Sequence, residues 1–457
     1  MHTETPVYDF VSEYLAKDTS RFHMPGHKGK SILGCEERDI TEITGADYLL
    51  RAEGIIAESE AIASRLFNTA CTVYSTEGST LAMKAMLRLA MQYSRCQGRR
   101  FRILAARNVH AAFVHACALL DIDVQLLSGE EPGSVTRCLI TPEGLDAALD
   151  RMTEKPDAVF VTSPDYLGNM ADIRGLAEIC HRRNILLLAD NAHGAYLRFL
   201  PESLHPMDLG ADMCCDSAHK TLPVLTGGAY LHISAGMAEE HGSLYHDAKK
   251  AMSLFASTSP SYLILQSLDL CNAYLSSEFP AQLADTCRRI SDLKKELDTS
   301  GIQTRLNEPL KLLVDCASFG MTGTGTAAYL RSRNIECEYA DCYDLVLMIT
   351  PKNDERDLIR LKEALAELPG KRPAVKREYP VIPEPVRVCS IREALLAPSA
   401  AIPIEKAAGY ICASPAVSCP PAVPIAVSGE LLTEEITGIM KWYGISEAEV
   451  CLKDLHR

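Results

Sequence analysis

Between residues 71 and 235 seven short apolar runs, CTVYST, FRILAA, IDVQLL, DAVFVTS, ILLLAD, DMCCD and GAYLHI, alternate with segments whose apolar residues recur at helical spacing. Such alternation commits a chain to βαβ units, and so to an α/β fold with a mostly parallel sheet covered by helices on both faces. Ligands of such sheets sit beyond the carboxyl ends of the strands, which makes the residues there the first candidates for function. Residues 261–300 read as long helices leaving the sheet. Within 301–370, KLLVDCAS and DLVLMITP read as strands, and TAAYLRSRN and ERDLIRLKEALAEL as helices, giving a smaller α/β lobe. The proline-rich stretch 371–425 reads as extended chain packed across other elements. The expected organisation is an N-terminal segment over 1–30, a large domain over 31–295, a small α/β domain over 296–370 and a C-terminal domain over 371–457.

Composition removes several function classes. The chain has 457 residues, 47% of them hydrophobic, with no apolar run of the roughly 18 residues that a membrane span needs. Residues 1–20 lack the basic start and apolar core of a signal peptide and read as a capped amphipathic helix, which points to a cytoplasmic protein. The 17 cysteines show no CxxC and no zinc spacing, so they read as buried small hydrophobes in a reducing compartment and no metal is expected. A net charge of -14 argues against a nucleic-acid partner and is compatible with a cationic small-molecule substrate.

Four segments carry candidate chemistry. In CTVYSTEGSTLAMKAMLRLA a strand runs through Gly78, Ser79 and Thr80 into a helix. That arrangement offers free N–H groups, hydroxyls and a helix dipole to a phosphate, or simply an N-cap. VFVTSPDYLGNMADI ends a strand at Thr162 and Ser163, either beside a ligand or in a Ser-Pro turn. ILLLADNAHGAYLRF ends a fully apolar strand at Asp190, with His193 three residues on. A buried carboxylate there needs a cationic or donor partner, and a protonated pyridine nitrogen is one. An Asp/His metal pair is the rival reading, but no further ligands stand at suitable spacing. In GADMCCDSAHKTLPVLTGGAYLHI, Lys220 follows Ser217 and His219. A His-Lys dipeptide is ordinarily a solvated loop, yet this lysine lies one βα step after Asp190, on the same sheet edge. A rigid, partly desolvated lysine amine is a nucleophile toward an aldehyde.

These residues resemble the Orn/Lys/Arg decarboxylases of the fold-type I class, in the shorter bacterial branch. FHMPGHKGK at 22–30, DITEITGADYLL at 39–50, EGST at 77–80, DNAHGAY at 190–196, DSAHKTL at 216–222 and STSPSYLILQSLD at 257–269 look like signatures of that family. The resemblance implies an aspartate-aminotransferase-like large domain that binds pyridoxal 5'-phosphate, with smaller α/β lobes behind it. It further implies that Lys220 carries the Schiff base, Asp190 pairs with the pyridine nitrogen and His110 stacks on the ring. Gly78, Ser79, Thr80, Ser217 and His219 would hold the phosphate, Thr162 would touch the cofactor, and His193 would lie near the substrate side. Ser257 or Thr258 would reach the neighbouring subunit's cofactor, which implies a homodimer with shared sites.

The implied reaction is decarboxylation of arginine, lysine or ornithine to the matching amine and carbon dioxide, as in polyamine biosynthesis, with Lys220 or His219 returning the proton. The chain departs from the family pattern at several places. Ala111 and Ala112 follow His110 in place of lysine and serine, Ser163 and Asp165 flank a proline where asparagine and threonine are usual, Asn191 stands where glutamate is frequent, and Thr226-Gly227 replaces Thr-Gln. Residue spacing alone does not separate decarboxylation from transamination or elimination, which use the same electron sink, and the departures leave room for a weakly active regulatory paralogue.

Overall fold

The computed structural model describes residues 4–94, 98–129, 135–240, 243–305, 307–368, 373–417 and 422–452. All seven predicted strands form: β1 (Cys71–Ser75), β2 (Arg102–Ala106), β3 (Asp123–Leu127), β4 (Ala158–Thr162), β5 (Leu186–Asp190), β6 (Met213–Asp216) and β7 (Ala229–Ile233). They make one mostly parallel sheet in the order β1-β7-β6-β5-β4-β2-β3. β5 and β6 pair in parallel, whereas β7 runs antiparallel to both β1 and β6. Strands covered on both faces need no alternation of polar residues, and β1, β6 and β7 are buried along their whole length. Leu187, Leu188 and Ala189 of β5 are likewise fully enclosed, and each leucine contributes on the order of 2 kcal/mol of transfer free energy.

The chain divides into two compact units, each discontinuous in sequence. The first comprises residues 1–104, 141–161 and 172–280, the second 105–140, 162–171 and 281–457. In the first unit the helix Gly78–Tyr93 buries Leu81, Met83, Met86 and Leu89 among other residues. The N-terminal helix forms over Pro6–Ala16, but Thr5 makes no capping bond with its side chain. Its cap comes from far away in sequence: Asp269, on the helix Tyr262–Leu275, accepts from the N–H groups of Val7 and Tyr8 at 2.9 Å each. A carboxylate at that end satisfies orphan donors and complements the dipole, so the expected local cap is replaced by a tertiary one.

In the second unit the predicted strands appear as Lys311–Asp315 and Asp344–Met348, in a four-stranded antiparallel sheet. The predicted helices span Gly323–Ser332 and Glu355–Ala366. The proline-rich stretch is extended chain only in its first part, where Arg377 Nη2 lies 2.6 Å from Asp315 Oδ1 and 2.8 Å from Asp344 Oδ1. Contrary to the expectation for 371–425, a helix forms over Ile391–Leu395 and a strand over Ser399–Pro403 pairs with Glu447–Cys451. The same unit buries an ion pair, in which Arg107 donates to both carboxylate oxygens of Glu430 at 3.0 and 2.9 Å and to Ile425 O at 2.8 Å. Both side chains are nearly enclosed, at 6% and 4% exposure.

Removing one partner of such a pair strands the other charge in a low dielectric, so Glu430→Gln is expected to destabilise the protein by about 3–5 kcal/mol. The double variant Arg107→Met/Glu430→Leu should lose much less. Urea unfolding of both variants checks this, and equal losses would contradict it.

Candidate active site

β5 and β6 end side by side, and their termini assemble most of the candidate site. Asp190, the last residue of β5, is 3% exposed. Its Oδ1 accepts from the Ala192 N–H at 3.2 Å and from the Cys215 thiol at 3.8 Å. The turn that follows brings His193, 5% exposed, back over the sheet edge. After β6, Ser217 leads into the single helical turn Ala218–Thr221, which carries His219 and Lys220. Lys220 Nζ lies 3.1 Å from His193 Nε2. Two segments linked in sequence only by their βα step thus place an amine and an imidazole in hydrogen-bond contact.

The phosphate-type segment lies in the same unit. Gly78 opens its helix with φ +72°, a left-handed conformation that glycine adopts without steric cost, and space for a Cβ is open there. The capping position is Glu77, which makes no side-chain capping bond, so Ser79 and Thr80 stand inside the first turn and do not act as caps. Ser217 Oγ donates to Ser79 Oγ at 2.7 Å, joining this helix start to the turn that carries Lys220. His219 Nδ1 is 3.0 Å from Gly228 O. Since a carbonyl only accepts, Nδ1 carries the proton, and a neutral His219 presents the lone pair of Nε2. An amine, a buried carboxylate at a strand end, paired hydroxyls and a helix start with an open glycine form the donor set that pyridoxal phosphate requires, and the residues fit it.

The remaining predicted residues are placed as follows. Ser257 and Thr258 are exposed; the Ser257 N–H donates to Glu77 at 2.8 Å. Thr258 lines a cavity of about 830 Å³ with Tyr48, Arg51, Tyr245 and Lys250. In the second unit His110 caps the helix Ala111–Leu120, its Nδ1 accepting from the Ala112 N–H at 3.1 Å. Thr162 ends β4, and its buried Oγ1 has no hydrogen-bond partner among the described residues. Ser163 Oγ accepts from the Ala171 N–H at 3.0 Å, and the carboxylate of buried Asp165 accepts from Leu167 and Asn169 N–H groups at 2.9 Å each. Burial pushes the Asp165 carboxyl up to about 6 against those bonds. These two departures from the family pattern therefore hold a turn together.

Sequence reasoning missed Asn191, His205, Asp216 and His232, which form one buried network. Asp216 accepts from Asn191 Nδ2 at 2.7 Å, from His205 Nε2 at 3.0 Å and from His232 Nε2 at 3.2 Å. Burial works to raise its carboxyl, but the two histidines outweigh it and hold Asp216 below the usual carboxylate range. The available signal was Asp216 itself, a second acid closing an apolar strand beside Asp190.

Comparison with known proteins decides the family. The Orn/Lys/Arg decarboxylase major-domain model matches residues 5–315. The chain belongs to the Orn/Lys/Arg decarboxylase family. It is therefore, by family, a pyridoxal-phosphate-dependent amino-acid decarboxylase, as its motifs implied. The family's arginine decarboxylase of Bacillus subtilis is 29% identical over 94% of this chain and 92% of its own length. That of Bacillus anthracis is 30% identical over 94% and 91%. Among solved structures, a Francisella novicida lysine decarboxylase superposes with a TM-score of 0.77 at 17% identity, covering 98% of this chain and 81% of its own. The fold is thus that of the family's decarboxylases, with fold-type I neighbours beyond it, such as a NifS-like protein at a TM-score of 0.54.

A close backbone approach occurs at Gly227, which has φ +100° and whose added Cβ would stand 2.8 Å from Thr76 O. Gly227 O also accepts from the Gly78 N–H at 2.7 Å. Gly227→Ala should therefore cost about 1–3 kcal/mol of stability. Gly438→Ala, inside the helix Glu434–Trp442 with open space around it, should be neutral or stabilising. Urea denaturation of the two variants distinguishes them, and indistinguishable stabilities would refute the assignment.

Proposed function

We propose that the protein decarboxylates a basic L-amino acid, arginine, lysine or ornithine, to the corresponding amine and carbon dioxide, using pyridoxal phosphate anchored covalently at Lys220. The observation that carries the reading is the 3.1 Å contact of Lys220 Nζ with His193 Nε2 at the edge where buried Asp190 closes β5. Family membership supports the choice of decarboxylation over the other reactions of fold-type I enzymes. When bound, the cofactor supplies an electron sink for the pair released as carbon dioxide leaves.

The chain's own residues divide the remaining work. Asp190 stands at the strand end, where its carboxylate would hold a pyridine nitrogen protonated. Gly78, Ser79, Thr80, Ser217 and His219 lie at one helix start and one turn, where they would hold a phosphate dianion with the help of the helix dipole. Lys220 and His193 would hold and pass a proton across their 3.1 Å contact, keeping it beside the proposed anchoring amine. His219 Nε2, fixed as a proton acceptor by the Nδ1 bond to Gly228 O, would be the second group able to return a proton to Cα once it has taken one up. His110 and Thr162 take their cofactor roles from the family resemblance, as do Ser257 and Thr258, which serve the neighbouring subunit's site in a homodimer.

Incubation with pyridoxal phosphate and each common amino acid in turn should release equimolar carbon dioxide and amine from arginine, lysine or ornithine. Lys220→Ala should lose both the visible cofactor absorbance and at least about 10³-fold in turnover, as expected for loss of a covalent anchor and proton-transfer group. Formation of a keto acid with no carbon dioxide would refute decarboxylation.

A further inference from the structure

Asp216 has no part in the function proposed above, yet it ties together the two turns that carry it. Its side chain and those of His205 and His232 are fully enclosed. Asp216 ends β6 one residue before Ser217, and its Oδ1 accepts from Asn191 Nδ2 at 2.7 Å. Asn191 directly follows Asp190, and its own N–H donates to Cys215 O at 3.0 Å. The turn is closed on that side chain: a Cβ at Gly194 would stand 1.9 Å from Asn191 Oδ1. The other carboxylate oxygen of Asp216 takes both imidazoles, at 3.0 and 3.2 Å.

His205, His232, Asp216 and Cys214 have ligand atoms within 4.8 Å of one another, the composition of a transition-metal site. The tautomers favour a hydrogen-bonded clamp instead. His205 Nδ1 accepts from the Met207 N–H at 3.3 Å, so a neutral His205 carries its proton on Nε2, the atom a metal would need bare. That proton points at Asp216 Oδ2. A carboxylate fixed by three donors is a rigid, enclosed anion, which suits it to hold a register and ill suits it to exchange ligands.

We propose that Asp216, clamped by His205 and His232, is a positioning residue that acts through Asn191. It fixes the turn bearing Asp190 and His193 against the turn bearing Ser217 and Lys220. The inference rests on the reading of Lys220 as the cofactor anchor. It has an electrostatic consequence as well as a mechanical one. The Cys215 thiol, between the two strand ends, is raised by burial and by Asp190 and Asp216, and lowered by Lys220, so these charges share one buried field. The titratable groups facing Asp216 are His205, His232, Cys214, Cys215 and Tyr230. Lys220 is faced by His193.

The test measures the dissociation constant of pyridoxal phosphate and the pH midpoint of its visible absorbance, without substrate, in the wild type, Asp216→Asn, Asn191→Ala and the double variant. Each single substitution should weaken cofactor binding roughly tenfold, and the double variant should be within about threefold of the worse single one, because both break the same link. Asp216→Asn should also lower the pH midpoint by about half a unit or more, since a cation loses a buried anionic neighbour, while Asn191→Ala keeps that charge and should leave the midpoint in place. Losses that multiply to roughly a hundredfold would overturn the proposal. So would unchanged affinity in both single variants, or a stoichiometric metal in the purified protein whose removal reproduces the Asp216→Asn behaviour. If Asp216→Asn does not fold, Asn191→Ala decides alone: a tenfold loss in a variant with unaltered thermal unfolding supports the link, and full affinity sinks it. Lys220→Ala keeps the two readings apart, because retained absorbance in that variant removes the cofactor anchor itself, whatever Asp216 does.

Discussion

Two carboxylates close neighbouring parallel strands whose preceding residues are wholly apolar, and the site is organised around the cost of burying them. An isolated buried carboxylate is expensive and either loses its charge or recruits donors. Asp216 recruits two imidazoles and an amide from within the chain. Asp190 accepts from the Ala192 N–H and from the Cys215 thiol at the end of the neighbouring strand. In the reading proposed above the two strand ends have different tasks: Asp216 holds the frame and Asp190 meets the cofactor.

The frame matters because Lys220, the proposed anchor, sits on a helix of a single turn. Residues 218–221 cannot support a fixed geometry by propensity alone, since short isolated helices are marginal. Their position comes from Ser217 bonded to Ser79, His219 bonded to Gly228 and Asp216 bonded across to Asn191. The Gly227 carbonyl extends the same scaffold to the start of the helix Gly78–Tyr93. Three chain segments that meet only at the sheet edge are thus joined by hydrogen bonds between residues far apart in sequence.

What could be read in the sequence follows from how far apart the interacting residues are. The seven strands and, in the small lobe, two strands and two helices are written in local periodicity and appeared where the pattern put them. The two-residue strands Thr304–Arg305 and Tyr339–Ala340 that complete the antiparallel sheet are too short to carry a pattern. Asp190 and Lys220 were legible because sheet topology makes strand ends meet, so a spacing of one βα step has spatial meaning. His205 and His232 were not, because one caps a four-residue helix and the other lies inside an apolar strand, where a histidine carries no periodic signal. The cap of Pro6–Ala16 was missed for the same reason: Thr5 is a good local candidate, but Asp269, more than 250 residues away, offers an anion. Asp165 adds a role the family pattern did not suggest, since its carboxylate satisfies the backbone of its own turn.

The central claim is that Lys220, and no other lysine, bonds to pyridoxal phosphate. Borohydride reduction of the cofactor-loaded protein followed by peptide mapping by mass spectrometry tests it most directly. The account predicts one pyridoxyl group per chain, on the peptide containing Lys220. A pyridoxyl group on another lysine, such as the enclosed Lys249 or Lys311, or none at all, would contradict it.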